Sequence, residues 1–573
     1  MTRHSIDPSF LNTSEDKLSC IELDFSEERV SFIESILIEK SETTSITFTE
    51  DISNLRKVTD KIPTACRVVI FCEFCDRFTL FGIMAILQNY IQFPLPTNGS
   101  QQPGVMGKGE KVATALTLFF SFITYSTLIV GAVIADVYWG KYKTIIVFGI
   151  IYALGPFILT ITSIPQLLDT SAPFVGLIVA ILLMGLGRGG VKSNYTVAAA
   201  EQYPHKEPYI KTLETGERVI VDPEITIQSI FNWLYVLTSL GMLSPFITTP
   251  VEKFHSFWLA YLICFVVFLL SNLVFYFKNK EFNKIPPNGS IFVDAFKIFS
   301  ITLRSQSRSL DSAKPSNMNT AQLSEYHVKW DDNFVDDLKK GLQACSLFLF
   351  YPTYWAAWSQ SRTNMISQGA TMRSENMPND LMTNIVPLAA GIVSIIVDKL
   401  FYPTLRKHGV SLLPTSKIFI GFVFMALAMV YCAVLQLFIY RTGPCYEHTL
   451  CIIDGKMVPN DISIWWQTPG YFMIAVSEVF VYITALEYAY HKAPKSMESI
   501  VTALFFTTDG VGSALGLIMV PFSHDPYTIY AYITMSVITC VAGTLLVMLF
   551  RRYDIESSSA VKNNSATEGC TFL

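Results

Sequence analysis

Long apolar runs separated by short polar stretches organise this chain. The runs lie at about 66–93, 112–137, 143–164, 174–201, 226–249 and 255–277, and, after a polar stretch at 278–340, at about 343–368, 379–403, 414–440, 464–491, 497–521 and 526–550. A helix needs roughly 20 apolar residues to cross a bilayer. The pattern therefore predicts an all-α membrane protein with about twelve transmembrane helices in two six-helix halves.

The same pattern divides the chain into five parts. The N-terminal tail is rich in Ser, Thr and Glu, and its hydrophobic residues follow no sustained period. We therefore expect this tail to be disordered. Inside the linker, the segment 291–300 is amphipathic, which is typical of a short helix lying at the membrane surface. The predicted parts are a disordered cytoplasmic tail at 1–62, the N-terminal half at 63–278, a cytoplasmic linker at 279–341, the C-terminal half at 342–551 and a cytoplasmic tail at 552–573.

Composition agrees with a membrane protein. The 573 residues are 51% hydrophobic and 16% charged, against about 25% charged residues in soluble proteins. The eleven cysteines lie mostly in apolar segments, and no Cys/His cluster has metal-ligand spacing. We therefore expect no metal and no cofactor. No catalytic dyad at helical spacing suggests an enzyme, and we expect no nucleic-acid partner.

Basic residues in the short loops predict the orientation of the chain. Lys141, Lys143, Arg551 and the basic stretch 206–218 all belong to loops on the side of the N-terminal tail. Because cytoplasmic loops carry an excess of Lys and Arg, both termini are expected in the cytoplasm.

Two features of the opposite loops fit this orientation. Asn98 begins a glycosylation sequon on the predicted outside. Cys445 and Cys451 share another outside loop, where they are either a disulfide or two free thiols.

The first apolar run contains three ionisable side chains. Glu73, Asp76 and Arg77 fall within about 100° of arc on a helix. A single charge at the centre of a membrane helix costs on the order of 2.5–3.5 kcal/mol. The triad is therefore either an ion pair that locks two helices together or a site for protons and a substrate.

Further charges lie in other predicted spans. They are Arg188 and Lys192 in the fourth, Arg362 in the seventh, Glu478 in the tenth and Asp509 in the eleventh. Glu73 lies about 10 Å and Lys192 about 13 Å from the inner helix ends, so a bridge between them is feasible. Arg188 and Lys192 are four residues apart, and we expect a carboxylate between these two like charges. No His lies deep in a span, so proton transfer falls to carboxylates.

A longer motif lies at the end of the second predicted span. The string Gly-Ala-Val-Ile-Ala-Asp-Val-Tyr-Trp-Gly-Lys contains Asp136, Gly140 and Lys141. On physical grounds it is a tight inner turn, with Gly140 permitting the turn and Asp136 pairing with a base or capping a helix. The string resembles the signature of the proton-dependent oligopeptide transporters, and its core resembles the inner-loop motif of the major facilitator superfamily.

Matches to the same family continue through residues 60–551. Glu-Phe-Cys-Asp-Arg at 73–77 resembles its acidic motif on the first helix, and Gly-Arg-Gly-Gly-Val-Lys at 187–192 resembles its fourth-helix motif. The segments at 350–355 and 487–497, with Asn384, resemble the fungal branch. The resemblance implies the major facilitator fold.

The resemblance also implies roles for individual residues. Arg77 and Lys192 would attract the carboxylate of a peptide, Glu478 would receive its amino group, and Glu73, Asp76 and Lys192 would couple protons. Asn384 is a further substrate-site candidate. Tyr354 and Trp355 either line side-chain pockets or are core aromatics. Asn364 either contacts the substrate or joins two helices by a hydrogen bond.

Several positions depart from the family pattern. Leu80 and Phe81 replace a usual Tyr-Tyr pair, and Ser239 replaces a usual substrate-binding Asn. Arg188 and Arg362 are additional cations, and Asp509 replaces what is commonly Asn. The extra cations favour an anionic or acidic substrate.

Together these features predict a proton-coupled symporter that imports di- and tripeptides by alternating access, as a monomer in the plasma membrane bilayer. The alternatives are a symporter of another small nitrogenous or anionic solute such as nitrate, and a nutrient sensor that does not transport.

Overall fold

The computed structural model describes residues 55–96 and 103–568, with gaps at 206, 214–215, 288, 290, 306–308, 409–411, 447–450, 454–455, 486, 489–493 and 495–496. Asn98 and most of the predicted N-terminal tail lie outside the described residues.

Six helical spans form the N-terminal half. Spans 1 to 6 are Thr64–Gln92, Gly109–Ile134 with the π-helical turn Ala135–Trp139, Lys141–Thr162, Ala172–Glu201, Pro223–Gly241 with Pro245–Phe254, and Phe257–Phe277. Span 5 is interrupted between Gly241 and Pro245, because proline lacks the backbone donor that would continue the helix.

The C-terminal half is more irregular. Span 7 consists of Tyr351–Ser359, the 3-10 turn Gln360–Arg362 and Asn364–Ala370. Span 8 joins Asn379–Asn384, Ile385–Ile396, Val397–Phe401 and Tyr402–Lys407; span 9 is Pro414–Arg441; span 10 joins Thr468–Glu478 and Val479–Ile483; span 11 is Glu498–Met519; and span 12 is Thr528–Glu568. We call the face with the connections between spans 2–3, 4–5, 6–7, 8–9 and 10–11 the inner face, following the predicted orientation, and the opposite face the outer face.

Nine helices of the described part are long and apolar enough to cross a membrane. They correspond to spans 2 to 6, 8, 9, 11 and 12. The other three carry much of the buried charge: Glu73 lies in span 1, Arg362 in span 7 and Glu478 in span 10. Spans 7 and 10 consist of short helical pieces, whereas span 1 is long but carries several charged residues.

Each half has its own apolar core. In the N-terminal half, Leu87, Tyr152 and Tyr261 belong to one buried cluster. In the C-terminal half, Tyr351 and Phe422 belong to another. The two clusters share no residue, and the division into two halves stays a prediction.

Glycines let spans 2 and 4 approach each other closely. A Cβ atom on Gly131 would lie about 2.4 Å from the Cα atom of Gly190 and 2.5 Å from the carbonyl oxygen of Gly189. Such separations are shorter than any van der Waals contact, so only glycine fits at this crossing.

The described residues of 55–61 and 205–229 belong to a compact unit of their own. Its described part contains a three-stranded sheet of β1 (Lys57–Val58), β2 (Tyr209–Thr212) and β3 (Arg218–Val221), in the order β1-β3-β2. The pair β1–β3 is parallel and β2–β3 is antiparallel. The sequence analysis placed Lys57 and Val58 in a disordered tail; the backbone hydrogen bonds of this strand pair order them instead.

The amphipathic segment of the linker is a helix, Ile291–Arg304. Ala295 and Ile298 are buried with Trp330 and Leu338 of the following linker segments. Phe296 and Leu303 are exposed. One apolar face therefore packs on protein, and a second remains for the predicted membrane surface.

The remaining differences concern chain ends and outer loops. Span 12 is helical to Glu568, the last described residue, beyond the predicted end at 551. On the outer face, β4 (Met372–Arg373) pairs with β7 (Asn460–Ser463), and β5 (Cys451–Ile453) pairs with β6 (Lys456–Val458). Cys445 and Cys451 are joined by a disulfide.

The glycine crossing predicts a stability effect. Gly131→Ala is expected to destabilise the protein by about 1–3 kcal/mol, because overpacking forces neighbouring backbone to move. Gly391→Ala is the matched control, since a Cβ atom there meets nothing within 4 Å. Melting temperatures of the purified proteins in detergent check this, and equal values for both variants would contradict the close crossing.

Candidate functional site

Glu73 is the centre of a buried charge cluster. Its side chain is fully buried, and its Oε1 accepts a hydrogen bond from Arg77 Nε at 3.2 Å, one helical turn further along span 1. The same oxygen contacts the Lys192 ammonium group of span 4. The Glu73–Lys192 bridge that the matching depths suggested is therefore present. Glu73 holds two cations at once.

Asp76 has a cation of its own. Its carboxylate lies 3.3 Å from Arg188 Nε, and both side chains are buried. The sequence analysis expected one carboxylate between Arg188 and Lys192; the structure gives each base a separate acid on span 1. Span 1 therefore presents its acids three residues apart to bases that lie four residues apart on span 4.

A second cluster lies in the C-terminal half. The guanidinium carbon of Arg362 lies 4.4 Å from the ring centre of Phe81 and 4.3 Å from that of Trp358. Trp358 Nε1 donates a hydrogen bond of 3.2 Å to Glu478 Oε2. Within the described residues, no carboxylate lies in ion-pair contact with Arg362. Aromatic faces thus hold this cation, through cation–π attraction.

Tyr125 connects the two clusters. It lies on span 2, and Asp509 of span 11, Arg188 and Arg362 are all within electrostatic reach of its hydroxyl group. The guanidinium carbon of Arg188 lies 6.0 Å from the Tyr125 ring centre. A single polar side chain therefore lies near the charges of both halves.

On the outer side of these clusters, hydrogen bonds join the two halves. Gln88 Nε2 donates to Ser367 Oγ at 3.1 Å, and Ser367 Oγ donates to Gln92 Oε1 at 2.6 Å. Asn89 and Asn379 exchange two bonds of 2.8 and 3.0 Å. All four contacts bridge span 1 and the helices of the C-terminal half. The structure is thus closed on its outer side.

Other predicted site residues belong to packing or to this outer closure. Asn364 donates hydrogen bonds to Gln360 and Ser523. This agrees with the second of its two predicted roles, a hydrogen bond that joins helices. Leu80 is buried in the N-terminal core, and Tyr354 is fully buried in the C-terminal core. Trp355 is buried and donates to Thr508 at 3.1 Å.

Among the described residues, Asn384 and Ser239 hydrogen-bond to nearby backbone. Asn384 Nδ2 donates to the Leu381 carbonyl at 3.3 Å, and Ser239 Oγ donates to the Tyr235 carbonyl at 2.9 Å. Ser239 therefore has its donor engaged within span 5.

The inner-turn motif has a clear geometry. Gly140 has φ of 73°, a left-handed conformation that glycine adopts easily, and it ends the π-helical turn Ala135–Trp139. Lys141 is ion-paired with Glu201 at the inner end of span 4. The motif thus ties the connection between spans 2 and 3 to span 4. In the described residues, no group of three or more His, Cys, Asp or Glu side chains is placed to hold a metal ion.

Comparison with known proteins identifies the family. Residues 142–536 match the family described as "PTR2: POT family". The chain belongs to the POT family. It is 38% identical over 505 residues to "Peptide transporter PTR_C" of Candidozyma auris, covering 88% of this chain and 87% of that protein. It is 37% identical over 505 residues to "Peptide transporter PTR2" of Saccharomyces cerevisiae, covering 88% and 82%.

Solved structures of POT family members have the same fold. The crystal structure of the transporter PepTSo aligns with a TM-score of 0.66 at 20% identity, covering 87% of this chain and 99% of that one. An auto-inhibited POT family peptide transporter aligns with a TM-score of 0.66 at 19% identity, covering 86% and 97%. The POT protein is therefore an all-α membrane protein of the major facilitator fold, as predicted.

Sequence reasoning missed Tyr125 and Trp358. Both are aromatic residues within apolar runs and so look like core. A signal existed for Trp358, because it lies four residues before Arg362 and hence on the same helical face. Tyr125 carries no such signal, since its partner Asp509 is distant in sequence.

The Asp76–Arg188 pair predicts a stability cycle. Arg188→Met alone is expected to cost about 3–5 kcal/mol, because it leaves a buried carboxylate without a cation. Adding Asp76→Asn should restore most of the loss, since no buried charge then remains unpaired. Melting temperatures of both single variants and the double variant measure the coupling, and additive losses would contradict the pair.

Proposed function

We propose that this POT protein imports di- and tripeptides together with protons by alternating access. The contact of Glu73 with both Arg77 and Lys192 carries the proposal, because one proton on Glu73 changes the charge available to a substrate. The names of the relatives as peptide transporters support the substrate class.

The proton step follows from the charges around Glu73. While Glu73 is ionised, it engages Arg77 and Lys192. When Glu73 takes up a proton, both cations lose their main anionic partner and become available to the carboxylate of a peptide. Proton and peptide thus bind together, since a buried pair of cations without an anion is costly.

The amino group of the peptide can bind to the acid of the second cluster, Glu478. Glu478 accepts one bond from Trp358, and its carboxylate is partly exposed. An ammonium group of the substrate gains a charge-assisted bond there. A zwitterion then spans from Arg77 and Lys192 to Glu478.

Side-chain preference depends on the departures from the family pattern. Of the two additional cations, Arg188 is neutralised by Asp76, whereas Arg362 lies between Phe81 and Trp358. Arg362 is thus the cation that favours peptides with an acidic side chain. Phe81 supplies a ring face for this arginine where the family usually has a tyrosine.

We place the protein as a monomer in the plasma membrane bilayer, with both termini in the cytoplasm. The basic loops support this orientation, and so does the disulfide between Cys445 and Cys451 on the outer face. Inward movement of one proton down about 100 mV supplies about 2.3 kcal/mol, enough for roughly fifty-fold accumulation.

The two poles predict loss of uptake. Arg77→Ala and Glu478→Gln are each expected to abolish uptake of a labelled dipeptide while surface expression persists, because each removes one pole of the binding site. Lys399→Ala and Asp398→Asn are matched controls, since both side chains are highly exposed. Normal uptake in both site variants would refute the assignment.

The proton step predicts a separation of two activities. Glu73→Gln is expected to lose accumulation driven by a pH gradient in proteoliposomes, because the amide cannot exchange a proton. Exchange of internal for external peptide without a gradient should persist, since Arg77 and Lys192 remain. Gradient-driven accumulation equal to that of the unmodified protein would exclude Glu73 as a coupling site.

A further inference from the structure

A second buried acid pair lies where the outer ends of the two halves meet. Glu252 lies in the last turn of span 5, in the N-terminal half, and Asp380 lies in the first turn of span 8, in the C-terminal half. Both side chains are buried, with Glu252 3% and Asp380 0% exposed. Asn89 Nδ2 donates to Glu252 Oε1 and also to Asn379 Oδ1, and Asn379 directly precedes Asp380, so the two carboxyl groups lie within electrostatic reach of each other.

Their oxygens have few donors. Glu252 Oε1 accepts a bond of 3.1 Å from Asn89 Nδ2. Glu252 Oε2 and both carboxyl oxygens of Asp380 find no donor among the described residues. Two ionised carboxylates cannot hydrogen-bond to each other, and burial without a donor is costly. A proton between them resolves both problems.

The groups around the pair do not supply a second positive charge. Lys253 is within electrostatic reach of both acids, and its ammonium group donates to the Met377 carbonyl at 2.5 Å. Among the described residues, Tyr261 lies near Glu252 and Tyr471 near Asp380, and tyrosine hydroxyls ordinarily keep their proton below about pH 10.

Arg362 belongs to a turn near span 8, but its guanidinium group lies between Phe81 and Trp358. One shared proton leaves one negative charge opposite Lys253, which balances the group.

A cavity of about 590 Å³ lies between Glu252, one member of the pair, and the outer loops. Glu252 and Lys253 line it, together with Gly104, Ser163 and Ser374 from the loops of the outer face. Protons from the outer solution therefore have a route to the pair that does not pass through the Glu73 cluster.

We propose that Glu252 and Asp380 form a second proton site, which holds the outer side closed when the two carboxyl groups share one proton and opens it when both are ionised. The site deepens the proposed function, on which it rests for the orientation of the faces. Because the closed form binds one more proton than the open form, raising the outer pH favours opening. A proton arriving from outside then closes the outer side behind the substrate.

The test measures the outer opening directly. Spin labels at Asp169→Cys and Arg441→Cys, exposed positions on the outer ends of the two halves, report the distance between the halves. Cys20, Cys540 and Cys570 are replaced by Ser in this background, because the other cysteines are either buried as free thiols or joined in the disulfide. Electron–electron distance distributions are recorded in lipid nanodiscs between about pH 5 and 8, without peptide.

The unmodified background is expected to shift to longer distances as the pH rises. Glu252→Gln and Asp380→Asn should each remain at the short distance throughout, because an amide donates permanently to the remaining carboxylate. Glu375→Gln is the matched control, an exposed acid of the neighbouring outer loop, and should behave like the background. Glu73→Gln should also keep the shift.

A background that does not respond to pH would overturn the proposal, and so would a normal shift in Glu252→Gln and Asp380→Asn. Loss of the shift in Glu73→Gln alone would assign the response to the other cluster and overturn it as well. Because no peptide is present, a failure of the proposed peptide transport is detected separately, in the uptake assay.

Discussion

Opposite charges buried in a low-dielectric bundle must find partners, and the architecture of this POT protein follows from that constraint. Glu73 and Asp76 place spans 1 and 4 against each other through Lys192 and Arg188. Arg362 is held instead by two aromatic faces. The cations therefore differ in how easily they can leave their protein partners and bind a substrate. A symporter requires such a difference between its cations.

The two halves also differ in how they contact each other. Amide and hydroxyl side chains join them on the outer side, whereas Tyr125 and Asp509 meet nearer the charge clusters. Neutral hydrogen bonds are individually weak, about 0.5–1.5 kcal/mol each. An outer closure built from them, with one protonated acid pair among them, is reversible with modest changes in free energy.

Much of this arrangement was predictable from the sequence, because apolar runs fix the spans and helix geometry fixes relative depth. The Glu73–Lys192 contact followed from depth alone. The separate Asp76–Arg188 pair did not, since it depends on how each helix is rotated about its axis. The sheet containing Lys57 was missed because its strands are short and its pairing is distant in sequence. Trp358 was missed because a partly buried aromatic residue has no polar signature until its neighbour Arg362 is considered.

The glycine contact between spans 2 and 4 has a mechanical consequence. With the backbones at Gly131 and Gly190 in direct contact, these two helices have no side-chain layer that can slide. Spans 2 and 4 must therefore move as one rigid body during each transport cycle. Bending must then occur in the interrupted helices, above all in span 5 before Pro245 and in span 7 around Thr363. These two interruptions act as hinges between rigid elements.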